Sequence, residues 1–146
     1  MPTADDEPFL RRAIELSAEA LASGNPPFGS LLVGPDGAVL AEERNTSLTD
    51  SDITAHPELK LARWAAASLD LETAGGTTMY TSCQPCGMCN GAIERSGLGT
   101  VVYVMSSDEL ATMKPASAGP FPVPQRHSPG LLAEAGVPVR RFYAAP

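Results

Sequence analysis

All three cysteines of this 146-residue chain fall within seven positions: Cys83, Cys86 and Cys89. A secreted disulfide framework spreads an even number of cysteines along its chain. This cluster reads instead as metal ligands, or as a redox pair in a reducing compartment. A second motif precedes it, with His56-Pro57-Glu58 ending 27 residues before Pro85-Cys86-Gly87-Met88-Cys89 begins. Each motif opens a helix. Cys86 and Cys89 stand at i and i+3 of a first turn, so both thiolates point to one side. The positive helix end favours their deprotonated form. Proline costs about 3 kcal/mol in a helix interior, but in the first turn its missing N–H had no partner anyway. Pro57 therefore places a helix start at His56 or Pro57, with His56 and Glu58 at its mouth. A fold that serves both motifs has to bring two helix starts together.

The other elements fit one domain over residues 1–146, a length suited to a single core. Hydrophobic residues make up 43% of the chain and aromatics 5%, so that core is built mostly from Ala, Leu and Val. Helical spacing of Phe9, Ala13, Ile14, Leu16, Ala20 and Leu21 predicts a helix over Pro8–Ala22, stopped near Gly24. Strands are expected at Ser30–Val33 and Ala38–Glu42, joined by the Pro35-Asp36-Gly37 turn, and at Thr77–Thr81, Thr100–Val104 and Val137–Phe142. Helices are expected over His56–Ser68, where Leu61 and Trp64 belong to the core, and over Cys86–Arg95, Asp108–Met113 and Pro129–Ala135. Asp108 and Glu109 most simply cap their helix. A helix lies between Thr77–Thr81 and Thr100–Val104, which predicts a parallel pair. The sum is an α/β chain: a three-layer α/β/α sandwich around a central mixed five-stranded sheet. Residues 114–130 break the pattern with five prolines, too many for helix or central strand, and read as a surface crossover, a lid or an arm.

Two Cys and one His leave the fourth tetrahedral position of Zn²⁺ open, the arrangement of a catalytic zinc site. Glu58 lies near enough to reach a water there without binding the metal, which suits general acid/base work. Cys83 leaves a second reading open. With Cys86, Cys89 and His56 it could close a structural Cys₃His site, and Cys83-x-x-Cys86 is also a redox spacing, although that leaves the His-x-Glu unexplained.

His-x-Glu followed by Pro-Cys-x-x-Cys is the signature of zinc nucleobase deaminases. The chain resembles the cytidine-deaminase-like superfamily, within it the branch of guanine, cytosine and tRNA-adenosine deaminases. The resemblance covers most of Phe9–Val104. It includes Pro27-Phe28-Gly29, Asn45, Thr54-Ala55-His56, Tyr80-Thr81-Ser82-Cys83-Gln84-Pro85-Cys86 and Gly91-Ala92-Ile93. It implies Zn²⁺ held by His56, Cys86 and Cys89, with Glu58 shuttling protons. Substrate contacts would come from Asn45, Phe28, Ala55 and the backbone N–H of Cys86. The implied reaction is attack of zinc-bound hydroxide on an amino-bearing ring carbon of a free nucleobase or nucleoside, with release of ammonia. Another aminated heterocycle (a pterin, a triazine or a modified base) or a non-catalytic structural-zinc domain are the alternatives. Two departures bear on the substrate. Pro57 replaces the small residue usual between His and Glu, and residues 114–119 lack the acid with which guanine deaminases read the purine edge.

Acids outnumber bases 17 to 10, for a net charge of −7, and the only adjacent basic pairs are Arg11–Arg12 and Arg140–Arg141. Nucleic-acid binding needs several cations on one face, so the expected partner is a small molecule and not a polyanion. No apolar run approaches a membrane span, and the N-terminus is acidic where a signal peptide is basic. A cytoplasmic protein is expected, and a homodimer, as the relatives usually are.

Overall fold

The computed structural model describes residues 5–144. It divides into two units, one extending to Pro115 and the other beginning at Ala116. The first contains helix α1 (Glu7–Ala22), strands β1 (Gly29–Val33) and β2 (Val39–Arg44), helix α2 (Pro57–Ser68), short helix α3 (Leu71–Gly75), strand β3 (Thr78–Cys83), helix α4 (Gly87–Glu94), strand β4 (Thr100–Met105) and helix α5 (Ser107–Met113). The strands form one mixed sheet in the order β2-β1-β3-β4. β1 runs antiparallel to both β2 and β3, whereas β3 and β4, joined through α4, are parallel as their spacing predicts.

Alternation along the strands makes two cores. Leu31, Val33 and Tyr80 pack with Ala13 and Leu16 of α1 on one face. Leu32 and Met79 pack with Leu61, Ala62 and Ala65 of α2 and Ile93 of α4 on the other. These are the three layers. Helix α1 crosses so close to β1 that a Cβ on Gly29 would come within 2.4 Å of the Leu16 Cβ, which only glycine avoids. Gly37, with φ of 86°, supplies the left-handed residue of the β1–β2 turn. Ser106 and Glu109 form a reciprocal capping box at the start of α5, giving Glu109 the expected capping role.

Tyr80 also ties α1 to the sheet. Its phenol donates to Asp6 at 2.6 Å, and its ring lies 5.1 Å from that of Phe9. Burial, then the Asp6 bond, pushes the Tyr80 pKa from 10.0 up to about 12. The folded value is the higher one, so the stabilisation is complete below pH 10 and is lost as pH rises through about 12. The melting temperature of the wild type should therefore fall faster than that of Tyr80→Phe over this interval. Parallel curves would count against the contact.

Two expectations are corrected, and one element is new. The sheet has four strands, not five, because Val137–Phe142 is part of helix α6 (Leu132–Ala144) in the second unit. A strand exists only with a ladder partner, and this segment instead takes up helix, carrying Pro138 in the helix interior despite the cost of proline there. The helix also runs on through Gly136, past Ala135, its expected end. Trp64 is 38% exposed and lies outside the core that Leu61 joins. Finally, α3 is an unexpected turn of helix, capped by the Asp70 carboxylate accepting from the Thr73 N–H at 2.7 Å. The second unit is short: beyond α6 it contains 3₁₀ turns at Ala116–Ala118 and Pro129–Leu131. No helix among the described residues is long and apolar enough to cross a membrane.

Candidate active site

The two motifs do open helices, and the helices meet at those openings. His56 is the N-cap of α2 with extended backbone (ψ 143°), and Pro57 is its first helical residue. The His56 carbonyl accepts the first intrahelical bond, from the Lys60 N–H at 3.1 Å. Cys86 is the N-cap of α4 (ψ 171°), and its carbonyl accepts from the Asn90 N–H at 2.8 Å. Helices α2 and α4 lie side by side on one face of the sheet. Their starts thus bring His56, Cys86 and Cys89 together, with the three ligand atoms within 4.8 Å of one another.

The geometry fits zinc. His56 Nδ1 lies 3.6 Å from Cys86 Sγ and 3.5 Å from Cys89 Sγ. A tetrahedral Zn²⁺ with Zn–S of about 2.3 Å and Zn–N of about 2.05 Å sets its N···S edges at about 3.6 Å. The three groups are also coupled to one another through hydrogen bonds. The Cys86 thiol is held well below its usual range, first by a hydrogen bond from Cys89 and then by one from His56. Cys89 is raised because it gives that bond to Cys86 and because it is buried. His56 is raised through its bond to Cys86, against the effect of burial. A thiolate beside a proton-sharing His and thiol is a donor set ready for a divalent cation.

Glu58 is next to this group but outside it. Its residue is 6% exposed, and burial raises its pKa above the usual carboxylate range. Hydrogen bonds from Ser30 and Cys89, together with the charge of His56, oppose that rise. Ser30 Oγ lies 3.1 Å from Glu58 Oε1, and Thr81 Oγ1 lies 3.4 Å from the same oxygen. A carboxyl group whose proton affinity has been raised by burial is suited to accept and return a proton.

Cys83 lies at the end of β3, buried, and outside the His–Cys–Cys group. Its thiol is pushed up by burial and then by the charge of Glu58, so it keeps its proton. Cys83→Ser should leave one zinc per chain by elemental analysis. Loss of the metal would restore the closed four-ligand reading.

The residues expected at the substrate are gathered by backbone bonds. The Asn45 N–H donates to the Phe28 carbonyl at 2.9 Å, and the Thr46 N–H donates to the Ala55 carbonyl at 3.1 Å. Phe28 and Asn45 are therefore held together at one end of β1 and β2, and the next residue, Thr46, is tied to Ala55, which precedes His56. Asn45 is 2% exposed, and its Oδ1 accepts from the backbone N–H and the hydroxyl of Ser47, each at 2.8 Å. Ala55 is buried and Phe28 half-buried. Cys86, by contrast, is exposed.

Two supports of this site were not anticipated from the sequence. Asn25, itself buried, accepts from the N–H groups of Leu48 and Thr49 at 3.1 Å and donates to Thr49 Oγ1 at 3.0 Å. It pins the 46–52 loop that leads to Ala55. The second is the hydroxyl pair Ser30 and Thr81. A serine opening the otherwise apolar run Ser30-Leu31-Leu32-Val33 was the available signal.

A mixed sheet between helical layers, a zinc-competent His–Cys–Cys group and a buried glutamate beside it define a class of hydrolytic zinc enzyme. Residues 3–105 match the cytidine and deoxycytidylate deaminase zinc-binding region, and the chain belongs to that family. It is 39% identical over 106 residues to guanine deaminase of Bacillus subtilis, covering 72% of this chain and 67% of that protein. It is 33% identical over 135 residues to a probable cytosine deaminase of Schizosaccharomyces pombe, covering 92% and 80%. Against the tRNA-specific adenosine deaminase of Haemophilus influenzae it is 36% identical over 98 residues, spanning 57% of that protein's length. The crystal structure of guanine deaminase from Bacillus subtilis superposes with a TM-score of 0.72 at 31% identity, covering 96% of this chain and 94% of that one. The chain is a deaminase of this family, and zinc is its metal.

Proposed function

We propose that the protein hydrolyses the exocyclic amine of a free nucleobase or nucleoside, guanine-like or cytosine-like, and releases ammonia. The observation that carries this reading is the buried Glu58 carboxyl beside, but not within, a three-ligand group whose spacing matches tetrahedral zinc. His56, Cys86 and Cys89 would hold the metal. When bound there, zinc supplies a Lewis acid that makes a water nucleophilic near neutral pH.

The chain's own groups do the rest. Glu58 takes a proton from the attacking water and returns it to the exocyclic nitrogen, so that the amine leaves as ammonia while the ring carbon gains oxygen. Its environment suits both halves of that task, because burial keeps the neutral acid accessible while Ser30 and His56 favour the carboxylate. Asn45 turns its amide oxygen to Ser47, and no hydrogen bond from its NH₂ is found among the described residues. That NH₂ group is available to a carbonyl or ring nitrogen of the base. Phe28 offers an apolar surface, and the Cys86 N–H at the helix start offers a donor to the attacked ring.

A small substrate is supported by the charge of the chain. The acidic excess lacks the clustered cations that draw a nucleic-acid backbone into a site. The experiment that tests the reading is ammonia release by zinc-loaded protein from guanine, adenine, cytosine, their nucleosides, pterins and triazines. Turnover of guanine or cytosine, or of a nucleoside of either, supports it. Turnover restricted to another heterocycle replaces the substrate, and release from none returns the protein to a structural-zinc role.

A further inference from the structure

Ser30 and Thr81 stand directly opposite each other where β1 pairs with β3, so their side chains share the face of the sheet covered by α2. Both are fully buried. Their hydroxyl oxygens are 2.7 Å apart, and each lies close to Glu58 Oε1, at 3.1 Å for Ser30 and 3.4 Å for Thr81. The next pair along the same face is Leu32 opposite Met79, both in the apolar core. A hydroxyl pair here is therefore a local exception to a hydrophobic pattern, and it sits against one side chain that carries chemistry.

Each hydroxyl has one hydrogen to give. Acceptors outnumber them: Glu58 Oε1, the Cys83 carbonyl at 3.0 Å from Thr81, the Gly29 carbonyl at 3.5 Å from Thr81, and each other's oxygens. Of the two, Ser30 has the shorter contact to the carboxyl. Thr81 can turn its hydrogen to Ser30, and Ser30 then gives its own to Glu58. This leaves Glu58 Oε1 anchored to the sheet.

We infer that Ser30 is a positioning residue for the general acid/base, with Thr81 acting through it, the pair fixing the orientation of the Glu58 carboxyl from behind. The inference rests on Glu58 being the proton carrier, as proposed above. Small displacements of a reacting group are costly, a misplacement of about 1 Å costing up to about 10²-fold in rate. Substrate contacts elsewhere are untouched, so the loss belongs to kcat.

The test uses the zinc-loaded full chain with Ser30→Ala, Thr81→Val, the double variant and Thr81→Ser, each checked for zinc content. Ser30→Ala should lower kcat by about 10- to 100-fold with KM within about threefold. Thr81→Val should lose about threefold to tenfold, and Thr81→Ser should recover the wild-type rate. The double variant should be no slower than Ser30→Ala, because the two hydroxyls act in series. Crystal structures of the wild type and Ser30→Ala give a second readout, in which the Glu58 carboxyl should turn away from its wild-type position. An unchanged kcat in Ser30→Ala, or additive losses in the double variant, would overturn the inference. Should the wild type release no ammonia from any heterocycle, the deaminase reading fails on its own and the crystal structures decide. A displaced carboxyl then supports Ser30 as its anchor, and an unmoved one overturns it.

Discussion

Glu58→Gln should slow ammonia release by about 10²- to 10⁴-fold, the usual worth of a positioned general acid/base, while leaving zinc content unchanged. The amide has the same size and cannot carry a proton between water and amine. The metal group does not include Glu58, so the ion should stay. Stability should not fall either. The wild type buries an ionisable group whose pKa is raised by that burial, and a neutral amide avoids the cost while still accepting from Ser30. Retained zinc and fold with lost turnover is the pattern of a catalytic group. Lost zinc would instead make Glu58 a ligand, and retained turnover would remove it from the chemistry.

Stripping the zinc should abolish turnover altogether and lower the melting temperature, while leaving secondary structure in place. Turnover should vanish because Glu58 alone cannot make water nucleophilic at neutral pH. The fold should persist because the two apolar cores, around Leu31 and around Leu32, are independent of the metal. The loss of stability follows from linkage: an ion that binds only the folded chain adds about 4 kcal/mol when present at a thousand times its Kd. His56→Ala and Cys89→Ser should behave as the stripped protein does and should not be rescued by added zinc at wild-type concentrations. Circular dichroism melts with and without chelator, together with metal analysis, measure both effects. A chelated protein with undiminished turnover would contradict the zinc assignment.

Much of the site was legible because it obeys local rules. Proline tolerates one helical position, and Pro57 occupies it, so His56 and Glu58 were placed before any tertiary contact was known. Cys86 and Cys89 follow from i, i+3 geometry in the same way. The parallel pairing of β3 and β4 also came from spacing alone. What was not legible depends on partners far away in sequence. Val137–Phe142 resembles a strand by composition, but strand identity is conferred by a neighbour, and here the segment is helical. Trp64 has a core residue's composition and a solvent-facing position on α2. Ser30 and Thr81 are 51 residues apart, and only the β1–β3 register sets them opposite each other under Glu58. Asn25 reaches its loop across a turn whose course no short-range signal reveals.

The central claim is that a zinc ion at His56, Cys86 and Cys89 works with Glu58 to remove an amine from a free base or nucleoside. Its most direct measurement is ammonia released from guanine and cytosine by the zinc-loaded wild type, beside the chelated protein and Glu58→Gln under the same conditions. The account predicts steady release from at least one base by the loaded wild type, none after chelation, and a loss of about 10² or more in Glu58→Gln. A protein carrying one zinc per chain that releases no ammonia from either base or its nucleosides, or one that Glu58→Gln leaves equally active, would contradict it.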